Sequence, residues 1–446
     1  MNNPLIPLTN CNYIPRRVAM LSLHTSPMAS LGGKKTGGMN VYVREIACAM
    51  GRRGIKVDVF TRENAPETIG AIVPMGENAR LIYLPAGPAE VLDPDTVYPY
   101  LSDFREALLE FARSNGLHYD LIYSHYWLSG VVAHELKHDW HVPFVQMFHT
   151  LGHMKTRIDG PRQPSVRSTQ LSLQANRRAM METEIINRAD RLIAATPAER
   201  MQMLWLYRAD RRRIETVSPG VDLMRFHPMD KALARQKVGL HADEKMLLFV
   251  GRIEPLKGVD TICEALAHLK AGSPDTLQGV RMVIIGGDPL DMAHQEMQRI
   301  RAKCRDLGLE ETMVFIGAKD QDTLPYYYNA AQALIMPSDY ESFGMVALEA
   351  MACGTPVIAS QVGGLAFLVR DGQTGYLVPV REPAVLAEAI HKIVRNPEHS
   401  AKMGEVAAQV AEQYSWGRIV DQLLAVFSEL LVQVRPIPCV TCVCGQ

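Results

Sequence analysis

Short apolar runs, each ended by Gly, Pro or a polar cluster, alternate along the chain with stretches of helical periodicity. Val18–Leu23 runs into a loop bearing Gly32, Gly33, Gly37 and Gly38. A helix follows from about Asn40, with Val41, Ile46, Ala47 and Met50 on one face, and then a strand over Ile55–Thr61. Strand, glycine loop, helix, strand is a βαβ unit. Strands over 80–84, 120–124, 142–148 and 191–197, an amphipathic helix over Leu101–Ser114 and a helix from Gln170 complete a first half. Residues 156–172 read as a mobile surface segment, and the run Arg208-Ala209-Asp210-Arg211-Arg212-Arg213 as a solvated face. The pattern breaks at Ser218-Pro219-Gly220, read as a hinge, and restarts with a strand over Lys245–Gly251. Further strands follow over 280–287, 313–317, 333–337 and 355–359. Helices are expected from Val259, over Met345–Met351 and over Ser415 to about Val434. Gly354 stands where a helix end calls for positive φ. Two similar halves in tandem predict an α/β fold of two Rossmann-like domains facing a cleft. The boundaries are 1–217 and 218–412, then a separate helix over 413–435 and an unstructured tail over 436–446.

Composition narrows the class of partner. The chain of 446 residues carries 47 Lys and Arg against 48 Asp and Glu, so no global field draws it to nucleic acid or to a membrane surface. No apolar stretch approaches the roughly 18–20 residues that span a bilayer, and Met1–Pro7 lacks the pattern of a signal peptide; the expectation is a cytoplasmic protein. The eight Cys form no disulfide framework. Cys439, Cys442 and Cys444 crowd the tail without an accompanying His, and read as exposed thiols rather than a zinc site. Oligomeric state is left open.

The candidate chemistry sits at strand ends. Glu341, in the loop before the helix over Met345–Met351, and Glu349, inside that helix, are carboxylates suited to vicinal hydroxyls. The amides of Phe343, Gly344, Met345 and Val346 head the same helix and suit anionic or hydroxylated groups. Arg252 and Lys257 flank a strand end and a helix start, from which both charges can reach one anion. In the first half, two strands end in His125-Tyr126 and His149-Thr150. The glycine loop lacks both the Walker lysine and the Gly-x-Gly-x-x-Gly fingerprint, which counts against a nucleotide triphosphatase or a dehydrogenase.

Taken as a whole, Glu341 to Ile358 is similar to the signature of family 4 retaining glycosyltransferases, which have the GT-B fold. Val362–Leu365 and Asp371–Val378 resemble the same family, and the likeness runs from Gly37 to the final helix. The resemblance implies that this helix crosses back onto the first domain. It implies a nucleotide-sugar donor, UDP-linked, used as substrate, with no cofactor. Arg252 and Lys257 would hold the diphosphate, and with no Asp-x-Asp in the chain two cations would replace a metal ion. Lys319 would flank the base, Glu349 the ribose, Glu341 and the helix amides the sugar, and His149 would contact and orient that sugar. Gly37 and Gly38 would approach the diphosphate and Asn40 the acceptor. Tyr126, Thr150 and Arg177 match positions that meet a phosphorylated acceptor in mycothiol-type enzymes. Those enzymes carry a Lys soon after Ala-Gly-Pro; here Ala86-Gly87-Pro88 is followed by none. Inositol phosphate, fructose 6-phosphate, another sugar phosphate and lipid- or glycan-linked acceptors therefore stay open. The same architecture also accommodates a sugar-nucleotide epimerase and a non-catalytic nucleotide-sugar sensor.

Overall fold

The computed structural model describes residues 13–29, 37–152, 168–241, 243–288, 291 and 294–434, with the side chains of 168–175 left aside. The cysteine tail, Gly32, Gly33 and most of the segment expected to be mobile lie outside the described residues.

Eight strands form the first sheet: β1 Arg17–Leu21, β2 Lys56–Arg62, β3 Ile72–Gly76, β4 Ala79–Leu84, β5 Leu121–His125, β6 Phe144–Met147, β7 Arg191–Ala194 and β8 Ile214–Thr216. Their spatial order is β3-β4-β2-β1-β5-β6-β7-β8. Every pairing is parallel except β3 with β4. The second sheet has six strands, β9 Lys245–Val250, β10 Val280–Ile285, β11 Met313–Phe315, β12 Ala333–Met336, β13 Val357–Ser360 and β14 Gly375–Val378, in the order β11-β10-β9-β12-β13-β14. All its pairings are parallel. The continuous apolar runs read as strands are buried on both faces, as parallel strands flanked by helices must be.

Both sheets reverse direction at one place. β1 has β2 on one side and β5 on the other, and β9 lies between β10 and β12. At such a switch point the connections leave to opposite faces and open a crevice at the carboxyl ends of the strands. This puts His24–Ser26 beside Tyr126 in the first lobe, and Arg252–Lys257 beside Ser338–Gly344 in the second.

The helices used below are α1 Gly38–Gly51, α2 Tyr126–Trp140, α3 Ser168–Arg188, α4 Pro197–Leu206, α5 Val259–Gly272, α6 Leu324–Ala330, α7 Met345–Ala352 and α8 Trp416–Val434. Helix α8 does return to the first lobe. Trp416 meets Tyr42 of α1 edge-on at 5.8 Å, and Phe427 meets Tyr123 of β5 at 5.4 Å. Arg53 donates to Asp421 at 2.8 Å and to the Gly417 carbonyl at 2.6 Å. One apolar core consequently runs from β1 and α1 through α8 into α7.

The structure departs from the sequence reading in a few places. The strand expected over 120–124 extends to His125, and Tyr126 after it begins α2, a helix the sequence reading lacks, whose buried residues include Trp127, Leu128, Val132 and Leu136. The edge strand β3, interrupted by Pro74 and a bulge before Gly76, went unread. So did the helices Pro383–Arg395 and Pro397–Ala411.

Candidate active site

The second lobe's half of the cleft is built around the loop between β12 and α7. Gly344 caps α7 with φ of 102°, and the first helical bond runs from the Leu348 amide to the Gly344 carbonyl at 3.0 Å. The amides of Phe343 to Val346 thus head the helix at the crevice. Gly363 fixes the loop in place: its φ is 45°, and any side chain there would run into the Glu341 carbonyl, which accepts the Gly364 amide at 3.1 Å. Gly258, with φ of 69°, lets the Lys257 turn pass against the Pro337 carbonyl. That close approach brings Lys257 to Glu341, where Nζ donates to Oε2 at 2.6 Å with both side chains mostly covered. Arg252 was expected to join Lys257 on one anion. It is about half exposed and pairs with Glu254 at 2.7 Å, so each cation has its own carboxylate.

Glu349 lies in the middle of α7 and is buried. A carboxylate there must be bound or neutral. The Tyr328 hydroxyl of α6 donates to its Oε2 at 2.8 Å, and burial pushes its pKa up to about 7. Tyr328, itself fully buried, was not singled out in the sequence. Lys319 is half-buried just beyond β11, on the same carboxyl edge.

In the first lobe, Tyr126 and His149 both hold positive φ, 71° and 62°, at the ends of β5 and β6. Non-glycine residues in this conformation are costly and gather at functional sites. His149 Nε2 lies 3.1 Å from Nδ1 of the fully buried His125. Burial, then the neighbouring His24, pushes His149 down to about 3, so its ring is neutral at physiological pH. Asn40 is buried and engaged: its amide group donates to Thr25 Oγ1 at 2.8 Å and to the Ser26 carbonyl at 2.6 Å, shaping the turn after β1. Gly37 caps α1, and Gly38 faces the second lobe, where a Cβ would stand 3.0 Å from Met345 Sδ.

Arg177, which the sequence resemblance placed with Tyr126 and Thr150, and its neighbour Arg178 point to different surroundings. Arg177 is exposed and lies over the Tyr98 ring at 5.1 Å. Arg178 reaches Tyr126 and Thr150, donating to the Tyr126 hydroxyl at 3.2 Å and to the Thr150 carbonyl and Oγ1 at 2.6 and 3.2 Å. Glu182, one turn on and fully buried, accepts from Arg178 Nε at 2.7 Å, from the Gly152 amide at 2.9 Å and from the Tyr207 hydroxyl. Nearby Glu199 is buried and pushed up to about 7, mainly by burial. Tyr340, on the second lobe's loop, feels the charges of both Glu199 and Arg178, so the two half-sites face each other. Among the described residues no three His, Cys, Asp or Glu converge as metal ligands.

Two α/β lobes meet across paired switch points, with a covered cation beside a carboxylate on each side, Lys257 with Glu341 and Arg178 with Glu182. Comparison with known proteins gives the class: residues 36–225 match Glycosyltransferase Family 4 and residues 230–410 match Glycosyl transferases group 1. The chain belongs to the family 4 glycosyltransferases and has their GT-B fold. Within that class it is 39% identical, over 95% of its length and 97% of the relative's, to D-inositol 3-phosphate glycosyltransferase 2 of Catenulispora acidiphila. It is 38% identical, over 94% of its length and 93% of the relative's, to D-inositol 3-phosphate glycosyltransferase of Mycolicibacterium smegmatis. Sucrose-phosphate synthase of Thermosynechococcus elongatus superposes with a TM-score of 0.83 at 32% identity, covering 94% of this chain and all of that one. Anabaena HepE, solved with UDP and glucose, shares the fold with a TM-score of 0.68 at 21% identity, covering 92% of this chain and 99% of that one. Among the described residues no helix is long and apolar enough to cross a membrane.

Proposed function

We propose that the protein is a retaining glycosyltransferase that moves a hexosyl group from a UDP-sugar to a hydroxyl of a phosphorylated small polyol, either a sugar phosphate or a cyclitol phosphate. The observation that carries this reading is the pair of anion-recognising groups on facing lobes: Lys257 with the α7 amides on one side, Arg178 with Thr150 and Tyr126 on the other. Two such sites suit a donor diphosphate and an acceptor phosphate. The names of the relatives point the same way, since both the inositol and the sucrose enzymes are named for phosphorylated polyols.

The reaction then runs on this chain's own groups. Departure of UDP builds negative charge on the diphosphate, which the Lys257 ammonium, the Arg252 guanidinium and the helix amides would stabilise; removing one such donor costs on the order of 10²–10³ in rate in comparable sites. Glu349, held by Tyr328, would accept from the ribose hydroxyls, with Lys319 beside the base. Glu341 would accept from the sugar hydroxyls while keeping Lys257 in place. Neutral His149 would hydrogen-bond the sugar. Arg178 would hold the acceptor phosphate, and the acceptor hydroxyl would attack from the face the diphosphate leaves, its proton passing to a phosphate oxygen. The Lys257 and Arg252 charges make a divalent ion unnecessary in this scheme. With a nucleotide sugar as donor the enzyme would work in the cytoplasm.

The test is mass spectrometry of products from a UDP-sugar panel crossed with inositol phosphates, fructose 6-phosphate and their unphosphorylated forms, with the anomeric configuration read by NMR. Transfer with retention, to phosphorylated acceptors only, is the expected result. An isomerised donor without acceptor would mark an epimerase, and tight UDP binding without turnover a sensor; either overturns the proposal.

A further inference from the structure

A cavity of about 440 Å³ opens on the first lobe at the edge opposite the cleft. Asp190, the residue before β7, anchors that edge by accepting the Phe144 amide at the start of β6 at 3.0 Å. The cleft lies at the carboxyl ends of the same strands. The walls come from the last turns of α2 and α3, from Arg213, and from Leu430, Gln433 and Val434 at the end of α8.

Its charge is one-sided. Lys137, Arg188, Arg191 and Arg213 line it against the single carboxylate of Asp190. Part of this charge has structural work. Lys137 pairs with Asp190 at 2.7 Å, Arg213 caps α3 through the Asn187 and Ala189 carbonyls at 2.9 and 3.1 Å, and Arg191 donates to Gln433 at 2.8 Å. Asp190 is therefore fully engaged, and cations remain in excess. Arg188 is exposed and its guanidinium has no partner among the described residues. His134 Nδ1 is buried without a partner, and the His134 ring meets that of His138 at 5.3 Å. Burial first, then His138, Arg188 and Lys137, hold the His134 ring below its usual range, with Glu184 of α3 opposing them in part.

We propose that this cavity binds a small phosphate-bearing anion at a site separate from the catalytic cleft. Arg188 supplies the free guanidinium fork, Lys137 and Arg191 add charge, and His134 and His138 offer ring nitrogens. The cavity is large enough for a phosphorylated metabolite. Because α8 forms one wall, the bound anion ties the end of the crossover helix to the lobe on which it rests.

The probe is inorganic pyrophosphate, added to the full chain with the cleft saturated by UDP. Calorimetry measures binding, and NMR of labelled histidines, assigned with His134→Gln, follows the His134 titration. Binding with a rise of about half a unit or more in the His134 midpoint is expected, because an added anion favours the imidazolium. Sodium chloride at equal ionic strength should leave that midpoint in place. Arg188→Ala should weaken binding by about tenfold, and His138→Ala provides a second variant should Arg188→Ala fail to fold. No movement of His134, or equal affinity in the folded variants, overturns the proposal. Sedimentation with phosphatidylglycerol vesicles, together with no pyrophosphate response at His134, would also overturn it, in favour of a lipid surface.

Discussion

Lys257 and Glu341 make a double substitution more informative than a single one. Nζ and Oε2 lie 2.6 Å apart, and the two side chains are only 20% and 15% exposed. Lys257→Ala therefore does two things. It removes a cation from the place proposed for the leaving diphosphate, a loss of about 2.7–4 kcal/mol in the transition state on that reading. It also strands the Glu341 carboxylate beside the incoming diphosphate. Two like charges roughly 5 Å apart repel by about 3 kcal/mol at an effective dielectric near 20, and solvent at this open cleft leaves about 1 kcal/mol. Glu341→Gln in the Lys257→Ala background removes that repulsion and should recover UDP affinity by about fivefold. UDP carries no sugar, so the assay is blind to the sugar-positioning role proposed for Glu341. Calorimetric titration of wild type, single and double variants should rank UDP affinity as wild type, then double, then single. A double variant that binds UDP no better than Lys257→Ala would refute the coupling and with it the placement of the diphosphate beside residue 257.

Other consequences can be checked separately. Tyr328→Phe removes the donor to a buried carboxyl, and should cost about 1–3 kcal/mol and lower Tm in a thermal scan. Glu349 and Glu199 are both raised from 4.5 to about 7, so the stability linked to their neutral forms is complete below 4.5 and is lost as pH rises through 7. Glu349→Gln and Glu199→Gln should accordingly gain Tm relative to wild type between pH 5 and pH 8; a pH-independent difference would contradict the assignment. Glu182→Leu leaves Arg178 buried without its partner and should cost about 3–5 kcal/mol, whereas adding Arg178→Met should restore much of the loss in the same denaturation assay. Gly363→Ala should displace the Glu341 loop and abolish transfer, with the soluble fraction and circular dichroism reporting whether the fold survives.

The sheets were legible because a strand buried on both faces must be apolar throughout, and β1, β5, β9 and β12 announce themselves in that way. β3 was not: its alternation is shallow, it holds Pro74, and it pairs only at the sheet's edge. Helix α2 begins with an aromatic and histidine cluster that reads as a strand exit. Its interior is buried on so many sides that little helical contrast remains. In the site, Glu341 and Glu349 stood out by spacing and local motif. The contact of Arg178 with Thr150 could not be read the same way, because neighbours on a helix point about 100° apart and only the register of α3 against Thr150 decides that Arg178 meets it. Tyr328 and Glu182 are second partners brought in by packing, and a linear chain carries no mark of that.

The return of α8 to the first lobe reverses the order in which the molecule is finished. Tyr42 and Tyr123 are made before the second lobe, yet Trp416 and Phe427, which cover them, are made after it. The lobe made first must wait with an apolar flank uncovered while the other is translated and folds. A nonsense or frameshift lesion after residue 412 would thus uncover the flank of the first lobe, and the damaged chains would be drawn to chaperones by a surface hundreds of residues away from the mutation in sequence.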